Sequence, residues 1–278
     1  MSKIDLASPV VKWVGGKRQL LERLMPLFPE TYTSYCEPFI GGGAVLFALQ
    51  PQKAIINDIN SELIGVYRAI KDDVEELIKR LVQFENTKEC FYEVRGWDRN
   101  AELYNQLTDI DKAARVIFLN KTCYNGLYRV NSAGEFNTPF GRYKNPNIVN
   151  ESTLRAVHEY FNTADVTILN TIYSEAVQGL PENSFVYLDP PYDPISVTAS
   201  FTGYNAGGFS RQDQIALRDC CCQLDANGIK FMLSNSATEF IQDIYSDFNI
   251  TIVPAKRAIN SVGSKRGCVD EVVVRNYE

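Results

Sequence analysis

One apolar run, followed at once by an acid and two prolines, constrains this chain more than any other feature. Residues 185–188 are apolar, aromatic and β-branched, which predicts a buried strand. The run stops at Asp189, and neither Pro190 nor Pro191 can donate a backbone hydrogen bond to a sheet. Pro191 also favours an extended conformation at Pro190. We therefore predict an open α/β sheet with a stiff loop at the C-terminal end of a strand, where such sheets bind ligands.

The four residues Asp189-Pro190-Pro191-Tyr192 suit the activation of an exocyclic nucleobase amine. Such an amine is a poor nucleophile because its lone pair is delocalised into the ring. The Asp189 carboxylate and the Pro190 carbonyl can each accept an amine proton. Tyr192 offers a face for base stacking, which is worth about 1–3 kcal/mol. This chemistry needs positioning and electrostatics but no covalent intermediate. An ordinary proline turn has the same composition, so the other motifs must decide.

A glycine-rich loop and a second strand end predict a site for an adenosine-containing cofactor. The stretch 35–49 is typical of strand, loop and helix, and its glycines at 41–43 allow a ligand to approach the backbone closely. The stretch 53–60 predicts a second strand that ends near Asp58, where an acid can bind ribose hydroxyls. Leu46 breaks the G-x-G-x-x-G pattern. These residues alone leave both NAD and S-adenosylmethionine open.

Two glycines between Trp13 and Lys17 predict a tight bend before a helix over 18–27, which Pro26 and Pro29 would end. A lysine beside such a bend can hold an anionic group at the helix N-terminus. A plain N-terminal turn is the alternative interpretation.

The segment 121–147 is rich in Arg, Asn and Tyr. The turn signal at 131–134 separates two short β-like runs and predicts a hairpin. Such a hairpin can enter the major groove of DNA, where Arg reads guanine and Asn reads adenine. Tyr124 and Leu127 could wedge between bases. A hairpin that only faces solvent is the alternative.

Charge is unevenly distributed along the chain. The net charge is −6, which argues against a uniformly basic nucleic-acid binder. Residues 112–144 nevertheless contain six basic residues and one acid, and residues 253–268 contain four basic residues and no acid. Two basic islands on an acidic protein fit local contact with a polyanion. Either island alone could equally be a solvated face.

Seven cysteines occur without a Cys-x-x-Cys pair, and the run 220–222 has the wrong spacing for zinc. No signal peptide opens the chain, and no apolar run approaches a membrane span. We expect reduced thiols in a cytoplasmic protein with no metal site and no membrane contact.

The motifs in their order resemble the Dam-like family of DNA adenine-N6 methyltransferases. They are Lys-Trp-x-Gly-Gly-Lys, Glu-Pro-Phe-x-Gly-Gly-Gly, Asn-Asp-x-Asn, Asp-Pro-Pro-Tyr, Tyr-Asn-Gly-Leu-x-Arg-x-Asn at 124–131 and Pro-Phe-Gly-Arg-Tyr-Lys at 139–144. The resemblance runs nearly end to end. It implies a Rossmann-like, S-adenosylmethionine-dependent methyltransferase sheet with an inserted helical plus β-hairpin DNA-recognition domain. The implied catalytic domain is 1–60 with 150–278, and the implied recognition domain is 61–149.

The resemblance also implies roles for single residues. Three would hold a flipped adenine: Asp189, Pro190 and Tyr192. Eight would contact S-adenosylmethionine: Trp13, Lys17, Glu37, Phe39, Gly41, Gly43, Asp58 and Asp189. Seven would contact double-stranded DNA, with Arg129 reading a guanine: Lys12, Tyr124, Asn125, Leu127, Arg129, Pro139 and Arg142. The implied site is GATC, in a bacterial or phage-encoded protein that can have a cognate restriction endonuclease.

One departure from the family pattern and three alternatives stay open. Some relatives carry an acid after the third strand to bind the cofactor adenine, where this chain has Asn170 and Thr171. The alternatives are an amino methyltransferase acting on cytosine, RNA or a protein glutamine, a nicotinamide-dependent oxidoreductase, and a DNA-binding regulator without catalysis.

Overall fold

A seven-stranded sheet organises the part of the chain that the structure describes. The computed structural model describes residues 3–194, 208–256 and 268–278. The strands are β1 (Tyr35–Glu37), β2 (Lys53–Asn57), β3 (Asp165–Leu169), β4 (Phe185–Leu188), β5 (Lys230–Ser236), β6 (Asn249–Lys256) and β7 (Cys268–Arg275). Their order across the sheet is β3-β2-β1-β4-β5-β7-β6. The five strands β1 to β5 pair in parallel, whereas β7 is antiparallel to both β5 and β6. The predicted α/β class is confirmed. The apolar, β-branched stretches 249–253 and 269–275 also predict a closing hairpin, which β6 and β7 confirm.

The strand order reverses between β1 and β4. From β1 the chain moves outward through β2 to β3, and it then returns to form β4 on the other side of β1. Tyr35 and Cys36 of β1 pair with Phe185 and Val186 of β4. Open α/β sheets bind ligands outside the C-terminal ends of their strands at such a switch point. The segments that follow β1 and β4 therefore define where a site is expected.

Apolar layers cover both faces of the sheet. Phe185 and Tyr187 belong to one buried apolar cluster, whereas Val186 and Leu188 belong to the other. All four side chains are fully buried. A strand buried on both faces has a continuous apolar sequence, which is why this run does not alternate with polar residues.

Helices between the strands supply much of the first of these layers. The helices of the described residues are α1 (Leu21–Leu24), α2 (Ala44–Leu49), α3 (Ser61–Asp72), α4 (Val74–Val82), α5 (Lys88–Gly96), α6 (Ala101–Gln106), α7 (Asp109–Thr122), α8 (Glu151–Thr163), α9 (Tyr173–Ala176), α10 (Arg211–Ala226) and α11 (Glu239–Ile244). Six of them, α3 to α8, lie between β2 and β3, and all of these except α6 contribute buried apolar residues to the first layer. Helix α3 contacts α4, α7 and α8. Apolar residues of these helices share a buried cluster with β1, β2 and β4. The predicted boundaries of a recognition domain at 61 and 149 stay a prediction.

The helix predicted over 18–27 is wrong in its details. The segment forms three short pieces: a 3-10 turn at Lys17–Gln19, the single α-helical turn α1, and a 3-10 turn at Met25–Leu27. Pro26 lies in the last of them, where its missing N–H prevents a regular helix from continuing. The glycine- and aromatic-rich composition of 201–208 also predicts a loop over the site. All of that stretch except Gly208, and most of the basic stretch 253–268, lie outside the described residues.

The described residues contain neither a candidate membrane span nor a candidate metal site. Within residues 3–194, 208–256 and 268–278, no helix combines the length and the apolar character needed to cross a membrane. The same residues contain no group of three or more His, Cys, Asp or Glu side chains placed to hold a metal ion.

Candidate active site

A cleft of about 270 Å³ lies at the switch point between β1 and β4. Its walls come from the N-terminal bend, the glycine loop after β1 and the first residue after β4. The lining residues are Trp13, Val14, Gly15, Gly16, Lys17, Glu37, Ile40, Gly41, Gly42, Gly43, Ala44, Val45 and Asp189. The cleft thus brings together six of the eight residues predicted to contact a cofactor. Phe39 and Asp58 are the two that do not line it.

The glycine loop adopts a conformation that few other residues tolerate. Gly43 has φ +73°, and a Cβ atom there would lie 2.8 Å from the ring of Phe47. The Gly41 N–H donates to Asp58 Oδ2 at 3.1 Å, and Tyr67 Oη donates to the Gly41 carbonyl at 2.7 Å. Asp58 therefore supports the loop from the end of β2, although it does not line the cleft.

Phe39 lies on the opposite side of the glycine loop from Trp13. Its ring stacks on Tyr173 of α9, with centroids 5.3 Å apart, and meets Phe209 edge-on at 6.2 Å. It belongs with the apolar layer that contains Val186 and Leu188. Phe39 thus anchors the loop to the layer beneath it.

Lys17 brings a buried positive charge into the cleft. Its Nζ lies 2.7 Å from Asp189 Oδ1 and donates to the Gly15 carbonyl at 2.9 Å. Only 4% of the lysine side chain is exposed. The same Nζ lies 4.7 Å from the ring centroid of Tyr192. Because an unpaired buried ammonium would be costly, these contacts fix both Lys17 and Asp189.

Asp189 is a weaker acid in this cleft than an aspartic acid in water. Burial raises its pKa to about 6, the nearby Lys17 opposes that rise, and the charge of Glu271 adds to it. The carboxylate is therefore ionised at neutral pH and can accept hydrogen bonds. A carboxyl group that lies in a cleft and has a pKa close to neutral pH is typical of a functional site.

Glu37 is a second carboxyl group in the cleft, with a different environment. It is 2% exposed and accepts a 2.7 Å hydrogen bond from Tyr35 Oη. Burial raises the pKa of Glu37 well above its ordinary value, although the Tyr35 hydroxyl and Lys17 act in the opposite direction. The cleft therefore combines one ammonium with two carboxyl groups.

A buried polar network holds the Asp-Pro-Pro-Tyr segment in place. Gln214 Nε2 donates to the Pro191 carbonyl at 2.9 Å, and Asn235 Nδ2 donates to Gln214 Oε1 at 3.1 Å. Asn235 Oδ1 also accepts the Asp193 N–H at 3.0 Å. Gln214 and Asn235 are fully buried. Sequence reasoning missed both residues, although an asparagine directly after the apolar residues of β5 was an available signal.

Asp193 anchors the end of the same segment. Its carboxylate accepts a 2.8 Å hydrogen bond from Thr238 Oγ1 and lies 3.2 Å from Arg211 Nε. Ser236 Oγ donates to its backbone carbonyl at 2.6 Å. The side chain of Asp193 is only 1% exposed, so it acts as a fixed internal support.

Two residues after β3 hold the neighbouring strand ends together. The Thr171 N–H donates to Asn57 Oδ1 at 2.9 Å, and Asn170 Nδ2 donates to the Asp58 carbonyl at 2.8 Å. Thr171 Oγ1 also donates to Glu175 Oε2. Asn170 and Thr171, which replace an acid seen in some relatives, thus have structural partners at this edge.

The segment predicted as a hairpin has antiparallel arms but no regular strands. Two isolated bridges, Cys123 with Phe140 and Val130 with Phe136, connect the arms. The Asn131 side chain accepts the N–H groups of Ala133 and Glu135 and so closes the turn. The predicted turn is confirmed, and backbone hydrogen bonds from the Asn131 N–H to Glu135 and from the Asn137 N–H to Arg129 pair the arms beside it. The pairing stays limited to isolated bridges, so the two β-like runs do not form continuous strands.

Six of the seven predicted DNA contacts are exposed side chains: Lys12, Tyr124, Asn125, Arg129, Pro139 and Arg142. Leu127, the seventh, is half-buried. Arg129 Nε donates to Asn137 Oδ1 at 2.7 Å. Trp13 stacks on Tyr128 with centroids 4.9 Å apart, so the cleft and this segment are in direct contact. This ring contact therefore joins the part of the fold that carries the predicted cofactor residues to the part that carries the predicted DNA contacts.

Comparison with known proteins decides the family. The model of the D12 class N6 adenine-specific DNA methyltransferases matches residues 13–259. The chain belongs to this family. It is 46% identical to a Type II methyltransferase of Lactococcus lactis subsp. cremoris, over 99% of this chain and 97% of the relative. It is 42% identical to a Type II methyltransferase of Methanocaldococcus jannaschii, over 97% and 99%.

The Dam-like resemblance is also confirmed for this adenine methyltransferase. The DNA adenine methylase of Vibrio cholerae is 33% identical, over 95% of this chain and 94% of the relative. The enzyme is thus an adenine-specific DNA methyltransferase. Its family does not support the oxidoreductase, cytosine, RNA or protein alternatives.

Proposed function

We propose that the enzyme transfers a methyl group from S-adenosylmethionine to the N6 amine of an adenine rotated out of double-stranded DNA, within GATC. The observation that carries this proposal is the meeting of Lys17, Glu37 and Asp189 in one cleft, with Tyr192 at its edge. The cleft occupies the switch point, where an open sheet binds its ligands.

The composition of the cleft favours S-adenosylmethionine as the methyl donor. Its amino-acid part carries an ammonium and a carboxylate, for which the carboxyl groups of Glu37 and Asp189 and the Lys17 ammonium are complementary partners. The bare backbone of Gly41 and Gly43 leaves room for close contact. A nicotinamide dinucleotide would instead bring a diphosphate towards two carboxyl groups. S-adenosylmethionine, when bound, supplies a methyl group on a positively charged sulfur.

The Asp-Pro-Pro-Tyr segment supplies what the adenine needs. Rotating the base out of the duplex costs a few kcal/mol. Tyr192 stacks on the base, while the Asp189 carboxylate and the Pro190 carbonyl accept the two amine protons. The negative charge of Asp189 stabilises the positive charge that develops on the nitrogen. One amine proton is then lost.

The segment at 124–142 supports GATC as the recognition site. Its motifs match those of the Dam-like family closely, and most of its predicted contact residues are exposed. Arg129 keeps its terminal guanidinium nitrogens available for guanine, since only its Nε has a hydrogen-bond partner in the described part of the chain. Residues 61–149 would then act as the target-recognition domain.

The names of the relatives bear on the biological setting. The Lactococcus and Methanocaldococcus proteins are both named Type II methyltransferases. We accordingly include in the proposal a cognate restriction endonuclease that reads the same site.

The decisive experiment compares two duplexes that differ only in having GATC or GTTC. The enzyme receives S-adenosylmethionine labelled on its methyl group, and the product is digested to nucleosides. The proposal expects label in N6-methyladenine from the GATC duplex only. Label in both duplexes would overturn the recognition site, and label in neither would overturn the site and leave the methyl donor to be tested by binding.

A further inference from the structure

A carboxylate on strand β7 contacts the tyrosine of the Asp-Pro-Pro-Tyr segment. Tyr192 Oη donates to Glu271 Oε2 at 2.7 Å. Glu271 pairs with Ser236 of β5 and with Val253 of β6, so a well-paired strand holds its backbone. The two partners are 79 residues apart in the chain. Nothing in the local sequence of either residue indicates this contact.

We propose that Glu271 is a positioning residue that fixes the Tyr192 ring for the flipped adenine. This inference rests on the proposed function, which assigns base stacking to Tyr192. It adds a residue that lies far from the known motifs and acts only through the tyrosine hydroxyl.

Within the described residues, different groups hold the backbone and the side chain of Tyr192. Gln214 donates to the Pro191 carbonyl and Asn235 accepts the Asp193 N–H, so the backbone is fixed on both sides of Tyr192. The remaining freedom is in two side-chain torsions. Lys17 Nζ lies 4.7 Å from one ring face, and Glu271 holds the hydroxyl at the far end of the ring. The hydroxyl contact therefore fixes the position of the ring on which a base would stack.

The contact has a second consequence for Asp189. A tyrosine hydroxyl has one proton to donate, and Glu271 accepts it. The Tyr192 hydroxyl also acts on Asp189 as a hydrogen-bond donor that lowers its pKa, and Lys17 occupies Asp189 Oδ1. By accepting the tyrosine proton, Glu271 competes with Asp189 for it and leaves more of the Asp189 carboxylate to the amine of the base.

A double-mutant cycle tests the inference. Glu271→Ala, Tyr192→Phe and the double variant are compared with the wild type, using unmethylated plasmid DNA and labelled S-adenosylmethionine. Plasmid DNA offers every short sequence, so the test does not depend on GATC. Glu271→Ala should lower kcat by roughly tenfold or more, the scale of a lost hydrogen bond to a charged group. In the Tyr192→Phe background the same change should have less than about a twofold effect.

Glu271→Gln is the matched conservative variant. Its amide oxygen can still accept the tyrosine proton, so kcat should recover to within about threefold of the wild type. The pH profile gives a readout that a purely structural role would not change. Lys17, Glu37, Glu271 and Tyr192 act electrostatically on Asp189 or share its cleft, and the charge of Glu271 raises the pKa of Asp189. Both substitutions should therefore move the acidic limb of kcat to lower pH.

Three results would overturn the inference. They are equal effects of Glu271→Ala in both backgrounds, a Gln variant as impaired as the Ala variant with an unchanged melting temperature, and an acidic limb that does not move. If the wild type itself transferred no label from S-adenosylmethionine, the proposed function would fail instead. The two failures are thus distinguishable.

Discussion

The cleft and the recognition segment use polar side chains in opposite ways. In the cleft, Lys17 and Glu37 are almost completely buried, and each has a fixed partner. In the recognition segment, Tyr124 is 58% exposed, and Arg129 and Arg142 also face solvent. The backbone there is held by a few hydrogen bonds between the two arms and by the Asn131 side chain at the turn. One region is rigid and buried, and the other presents side chains from a supported loop.

This difference suggests that chemistry and site selection can be changed separately. Removing one partner of a buried charged pair leaves the other unpaired, so substitutions in the cleft should have large effects. Removing an exposed side chain leaves no buried charged partner unpaired. Substitutions in the recognition segment should therefore alter which sequence is methylated, with little effect on how fast a bound adenine reacts.

The largest effect is expected for Asp189→Ala. This change removes the acceptor for the amine and the charge that stabilises the reacting nitrogen, so kcat should fall by about 10²–10³-fold or more. DNA affinity should stay near that of the wild type, because the exposed recognition residues are unchanged. Single-turnover methyl transfer and fluorescence anisotropy of a labelled duplex measure the two quantities.

Asp219→Ala is a suitable control, because it removes an exposed carboxylate on α10. Its turnover should match that of the wild type. A thermal melt of the Asp189 variant checks that the buried Lys17 has not destabilised the fold. Retained turnover in a folded Asp189→Ala protein would contradict the catalytic assignment.

A smaller and different effect is expected for Arg129→Ala. Loss of a guanine contact should relax discrimination at one base pair by about 1–3 kcal/mol. Methylation rates on GATC and on duplexes with single substitutions measure this change. Arg155→Ala is the matched control, since Arg155 is an exposed arginine on α8 that pairs with Glu75 and Glu151. Uniform weakening on all duplexes would show that Arg129 contacts only phosphate.

Local patterns predicted most of the sheet and much of the cleft. The strand at 185–188 has the predicted bounds because burial on both faces leaves a continuous apolar signal. The N-terminal bend and the glycine loop meet where the motifs indicated. In both cases the information lies within a few adjacent residues.

Long-range pairings could not be predicted in this way. Gln214, Asn235 and Glu271 come from α10, β5 and β7, and they reach the Asp-Pro-Pro-Tyr segment only because β4, β5 and β7 are neighbours in the sheet. The extent of pairing in the recognition segment was also beyond local patterns. Backbone hydrogen bonds join its arms at only a few positions. The Asn131 side chain accepts the N–H groups of Ala133 and Glu135, and the Thr138 hydroxyl donates to the Leu127 carbonyl, so side chains satisfy part of the backbone.

The pH dependence of methylation tests whether the cleft and the recognition segment act separately, and its expected effect near neutral pH is the smallest. Burial raises the pKa of Asp189 from 3.8 to about 6, so its ionised fraction falls below that pH. The rate should then decrease about tenfold for each pH unit below 6. The same shift means that the folded state binds this proton more tightly than the unfolded chain. The contribution of Asp189 to stability therefore decreases as pH rises from about 4 to 6, and a rate lost in acid cannot be ascribed to this group unfolding the protein.

The ratio of rates on GATC and on a singly substituted duplex should meanwhile stay constant. Both rates depend on the same Asp189 carboxylate, whereas the arginines that would select the sequence stay charged over this range. Single-turnover rates between about pH 5 and 8 on the two duplexes measure both quantities at once. A ratio that changes with the acidic limb would show that site selection and chemistry share a titrating group, and the separation of the two regions would be wrong.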